Sequence, residues 1–143
     1  MATKLVDPVT KVTLSISSSN LTSNPLNLSC TYNLNKADTT NGLDMFSGVS
    51  RRSHGTTNAV KVLDETKVDD DKAHVIYIKC LSSEKTEYLE IFVKDGDSPD
   101  DANNLLGRVY ANNAFIIPYA GHLDVFVLTS TTSLEYEIAL FSE

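Results

Sequence analysis

Apolar and polar residues alternate with a period of two along most of this chain, which predicts strands rather than helices. Lys11–Ser17 sets Val12, Leu14 and Ile16 against Lys11, Thr13 and Ser15. Leu26–Leu34 repeats the pattern with Leu26, Leu28, Cys30, Tyr32 and Leu34 in one phase. Ala59–Leu63, His74–Leu81, Glu87–Lys94, Leu106–Tyr110, Ala114–Tyr119, Leu123–Thr129 and Ser133–Phe141 complete about nine expected strands. Clusters of Ser, Thr, Asn, Asp and Gly separate them. His74–Leu81 with Glu87–Lys94 reads as a hairpin turning at Ser82–Thr86, and a last hairpin is expected to turn at Ser130–Thr132. Within Leu123–Leu128 only Asp124 interrupts the apolar run, as in a strand covered on both faces, by its own sheet partners or by a neighbouring subunit. No window carries a helical period, although Ser98 and Pro99 could open a single turn reaching Leu106.

Many short strands without helices bury their apolar faces by packing sheet on sheet. The expectation is an all-β fold, an antiparallel two-sheet sandwich of Ig-like or jelly-roll type. At 143 residues the chain reads as one domain, spanning 1–143, large enough for a core without disulfide staples. Residues 1–10 read as an N-terminal arm or edge strand. Residues 35–58 lose the alternation and read as a long irregular loop, which in a compact domain points to function. This loop holds Leu43, Met45, Phe46 and Val49, together with Arg51 and Arg52, two of the chain's three arginines.

Charge and composition narrow the function. A net charge of −7 disfavours nucleic acid and anionic membranes as partners. The start, Met1–Pro8, lacks a long apolar stretch, so no secretion signal is expected, and no run is long enough for a transmembrane helix. Without secretion the sequons at Asn20 and Asn27 carry little meaning. Cys30 and Cys80 both fall in the apolar phase of a strand and are expected as buried free thiols.

Catalytic motifs are absent. His54, His74 and His122 are scattered, with none at a metal-ligand spacing. There is no G-x-S-x-G elbow, no G-x-G-x-x-G and no P-loop. Asp95–Asp101 is rich in oxygen donors, but its sixth position is Asp100 rather than Gly and its twelfth is Leu106 rather than Glu, so a solvated acidic loop is expected there and at Asp69–Asp71. The reading is a non-enzyme with no catalytic residue, cofactor or metal. Arg51, Arg52 and Phe46 are the candidate partner contacts, because arginine and aromatic side chains anchor protein interfaces.

Val75-Ile76-Tyr77-Ile78-Lys79-Cys80-Leu81, Thr86-Glu87-Tyr88-Leu89-Glu90-Ile91-Phe92-Val93, Leu106-Gly107-Arg108-Val109-Tyr110, Ala114-Phe115-Ile116-Ile117-Pro118 and Leu134-Glu135-Tyr136-Glu137-Ile138 follow one another over residues 73–141. This order resembles small all-β virion proteins of tailed bacteriophages, with their Y-I-K-N, Y-x-x-I, G-x-F-x-I-P and L-E-Y-x-I strands. Cys80 stands where Asn is usual, and the Gly before Phe115 is missing. The resemblance implies a capsid decoration (cement) protein that clamps adjacent major capsid subunits, or a tail, neck or fibre accessory protein. It implies other virion proteins as partners, a homo-oligomer with a trimer favoured, and a place in the virion after assembly in a host cytoplasm. A carbohydrate-binding, lectin-like module is the alternative from another class, disfavoured by the absence of Trp. A hydrolytic enzyme ranks third.

Overall fold

The computed structural model of the chain describes residues 3–4, 8–21, 23–37, 39–96 and 104–143. Their strands are β1 (Thr3–Lys4), β2 (Lys11–Ser18), β3 (Leu26–Asn33), β4 (Met45–Phe46), β5 (Ser50–Ser53), β6 (Val60–Leu63), β7 (His74–Cys80), β8 (Tyr88–Lys94), β9 (Leu105–Tyr110), β10 (Ala114–Tyr119), β11 (Asp124–Thr129) and β12 (Glu135–Ser142). The helical element among them is a 3-10 turn at Glu65–Lys67, capped by Asp64, whose carboxylate accepts from the Thr66 amide at 3.1 Å. The helical turn expected from Pro99 lies largely outside the described residues.

The strands form the expected antiparallel sandwich. A six-stranded sheet runs β1-β4-β12-β7-β10, with β5 also paired to β12, and a four-stranded sheet runs β6-β11-β8-β9. Alternation decides which side chains meet between them. Ile76, Ile78, Cys80, Tyr136 and Ile138 of the first sheet pack on Leu89, Ile91, Val109, Val125 and Val127 of the second. Phe115, Ile117 and Tyr119 of β10 close one side of this core.

Both expected hairpins are corrected. β7 and β8 belong to different sheets, as do β11 and β12, so Ser82–Thr86 and Ser130–Thr132 are arches between sheets. Period-two patterning states which face of a strand is buried and says nothing of its partner. β11 is covered within the chain on both sides, since Phe126 on its outer face is 2% exposed beneath Lys61, so no neighbouring subunit is needed there.

The span 35–58 is more ordered than an irregular loop. Asn35 bridges to Gly42, β4 pairs with β12, and β5 pairs with β12 from Glu135 to Ile138. Leu43 and Leu34 are both buried, and the Leu43 amide donates to the Leu34 carbonyl at 2.9 Å. Gly42 fits there because it has no side chain: a Cβ at this position would lie 1.9 Å from the Pro8 carbonyl oxygen. Of the expected N-terminal arm, Thr3–Lys4 pairs with β4 as an edge strand.

β2 and β3 stand apart from both sheets. Among the described residues they pair only with each other, over eight residue pairs from Lys11↔Asn33 to Ser18↔Leu26. At about 3.4 Å per residue this ribbon is roughly 27 Å long. Its root is fixed by the Leu34 amide, which donates to the Thr10 carbonyl at 2.9 Å.

Candidate functional site

The ribbon has two chemically different faces. Its register places Val12 opposite Tyr32, Leu14 opposite Cys30, Ile16 opposite Leu28 and Ser18 opposite Leu26. The other face pairs Lys11 with Asn33, Thr13 with Thr31, Ser15 with Ser29 and Ser17 with Asn27. On that polar side the Thr13 and Thr31 hydroxyls bond at 3.1 Å. The apolar side is the unusual one: Leu14 is 46% exposed, Ile16 59%, Leu28 56% and Tyr32 41%. Such alternation normally marks a strand laid on a core. Here the apolar face has been built and left in water.

Cys30 lies on this face and is exposed, which corrects the expectation of two buried thiols; Cys80 is fully buried. The phase of Cys30 reads correctly from sequence, but its burial does not, because no described residue covers it. Burial raises the Cys80 thiol pKa above its usual value.

A second apolar surface lies on the outside of the six-stranded sheet. Cross-strand register aligns Phe46, Phe141, Val75 and Pro118 in one row. Ala139, Tyr77 and Ile116 form the next. Phe46 stacks on Phe141 with ring centroids 4.8 Å apart. Val49, at 58% exposed, and Ile116, at 38%, are the most open residues here. The following row is charged: Glu137 faces Lys79 and also Arg51, with 3.5 Å between the Arg51 and Glu137 side chains. A groove of about 410 Å³ joins the two surfaces. Thr10, Val12 and Thr13 of the ribbon root form one wall, and Val75, Tyr77, Ile116 and Phe141 line the sheet side.

The three contact residues expected from sequence divide between environments. Phe46 and Arg51 lie on the outer sheet face. Arg52 pairs with Tyr136, so it projects toward the opposite side, where its guanidinium donates to the Val62 carbonyl at 3.3 Å. Adjacent residues of a strand point to opposite faces, so Arg51-Arg52 is not one basic spot. Sequence reading missed the ribbon face as a site. Its signal was the clean alternation of β2 and β3, which was read simply as ordinary sandwich strands.

The histidines hold structure. His54 Nε2 and the Tyr136 hydroxyl are 2.5 Å apart, deep beside β5. Burial, with the nearby Arg52 charge, lowers the His54 pKa. Burial pushes the Tyr136 hydroxyl up to about 12, against the opposing pull of Arg52. Both groups are therefore neutral at pH 7. His74 is buried between the Ser142 hydroxyl at 3.0 Å and the Asp69 carbonyl at 2.8 Å. His122 sits at the surface, 3.1 Å from Asp71 and 3.6 Å from Asp70. Glu65, Asp69, Asp70 and Asp95 surround an open cavity beside it. Among the described residues no group of three or more His, Cys, Asp or Glu has the geometry to hold a metal ion.

Asp124 is a buried carboxylate, 1% exposed. Lys61 Nζ lies 2.5 Å from its carboxylate, and the Glu65 amide donates to it at 3.0 Å. Burial alone would raise its pKa; the Lys61 and Glu65 bonds outweigh this and hold it below the usual carboxylate range.

Compared with known proteins, the chain matches no family model, no curated protein and no solved structure.

Proposed function

We propose that this chain is a non-enzymatic building block of a larger assembly: a virion decoration protein that clamps adjacent major capsid subunits and acts as a homo-oligomer, with a trimer favoured. The observation that carries the reading is the β2–β3 ribbon, whose apolar face is exposed at Leu14, Ile16, Leu28 and Tyr32. A two-stranded ribbon is marginal in water by itself and gains independent stability by packing on a third surface. Fully burying a Leu or Ile side chain contributes about 1.5–3 kcal/mol, so Leu14, Ile16 and Leu28 together hold several kcal/mol in reserve for a partner. A rigid sandwich with histidines engaged in structural bonds fits a role that needs shape and attachment rather than turnover. The virion class comes from the resemblance of residues 73–141.

The alternative within the class is a tail, neck or fibre accessory protein, and copy number separates the two. Purified particles are digested and the chain is quantified against the major capsid protein by mass spectrometry. Shell symmetry multiplies a decoration protein into hundreds of copies, whereas a neck or tail ring holds about a dozen. Absence of the chain from the particle would overturn the reading.

A further inference from the structure

We infer that the ribbon is completed by a second copy of this chain: its apolar face lies on the outer face of a neighbour's six-stranded sheet. This deepens the assembly reading above by naming the partner of the same surface. Two observations favour a second copy over a foreign protein.

The first is self-complementarity. At the root, Val12 shares an open groove with Val75, Tyr77, Ile116 and Phe141 of the sheet. Farther along, the same ribbon face carries Leu14, Ile16 and Leu28, all exposed. The outer sheet face is itself exposed at Phe46, Val49 and Ile116. One molecule thus carries both an open apolar ribbon and an open apolar sheet face.

The second is charge. Residues 11–33 contain one lysine and no acidic residue, while the rest of the chain carries the whole acidic excess. Two acidic bodies repel when they meet face to face. An uncharged arm reaching from one body to another makes the contact without bringing like charges together. The apolar rows that receive it end at the Glu137–Arg51 pair, which is already neutralised.

Sedimentation velocity of the purified full-length chain at micromolar concentration tests this, using two variants altered only at exposed positions. The ribbon variant carries Leu14→Ser, Ile16→Ser and Leu28→Ser; the sheet variant carries Val49→Lys and Ile116→Lys. The expected result is an oligomeric wild type, with both variants weakened about a hundredfold or more in self-association. The melting temperature of the sandwich should stay unchanged. Mixing the variants should give a heterodimer, because the intact ribbon of the sheet variant meets the intact sheet face of the ribbon variant. A wild type that is monomeric at every concentration overturns the inference and the proposed homo-oligomer, yet leaves the ribbon to a capsid subunit, so the decoration reading survives. An oligomer that persists in the ribbon variant overturns both. An oligomer lost in the ribbon variant but kept in the sheet variant means that ribbons pack on one another, and also overturns the inference. Failure of the mixture to associate does the same.

Discussion

Individual side chains set the stability of the sandwich, and Asp124 is the most consequential. Its carboxylate is buried and its folded pKa is lowered, so its contribution is present above the unfolded carboxylate value near 4 and is lost as pH falls through the folded pKa. Lys61→Met removes the countercharge and strands the carboxylate. The expected result is a lower urea-unfolding midpoint at pH 7. Without Lys61 the folded pKa rises above the unfolded one, so the deficit should shrink as pH falls through that raised value. A deficit that is constant with pH would mean the pair contributes packing alone. His54 works in the same direction: its lowered pKa makes stability fall as pH drops below about 6.5. Exchanging His54 for Gln should flatten that part of the profile. The two candidate arginines separate here as well. Arg51→Ala breaks an exposed pair with Glu137 and should cost under about 1 kcal/mol. Arg52→Ala removes an exposed donor to the Val62 carbonyl beside buried Tyr136 and should cost about 0.5–1.5 kcal/mol.

At the scale of elements, much of the fold was legible because burial faces follow a period of two. β7, β8, β11 and β12 were readable as strands, and the inward sets Ile76–Ile78–Cys80 and Tyr136–Ile138 could be named from alternation alone. Pairing was not legible. The five residues Ser82–Thr86 suit a hairpin or an arch equally, and the choice between them depends on contacts distant in sequence. β4 and β5 were missed because two- and four-residue strands show no period, and they exist because β12 offers them a register. The ribbon was the opposite case: its pattern was the clearest in the chain, yet alternation cannot say whether the surface it fits belongs to the same molecule. Gly42 was unremarkable in sequence, while in the structure it lets the chain at Pro8 pass close to the Asn35 bridge. Gly42→Ala should destabilise by about 1–3 kcal/mol in thermal unfolding, since the clash is with backbone. The ribbon itself should show fast amide exchange in the free chain, with β7 and β12 protected to near the global unfolding limit. Equal protection of ribbon and core in a monomer would contradict the description of β2 and β3 as unsupported.

The whole molecule combines a closed sandwich with two open apolar surfaces, one on an arm and one on a sheet. The sandwich is a rigid acidic body, and the attachment we propose rests on the open surfaces. Cys30 offers a direct probe of that division: the thiol lies on the ribbon's apolar face, opposite Leu14, while the other cysteine is sealed in the core. The rate at which a small alkylating reagent modifies Cys30 is measured in the native assembly, then in the same protein dissociated at high dilution. The expected result is a rate at least about tenfold slower in the assembly, with Cys80 unreactive in both, as burial of the ribbon face requires. Equal rates for Cys30 in the two states would show that the face stays open to water, and would contradict the account.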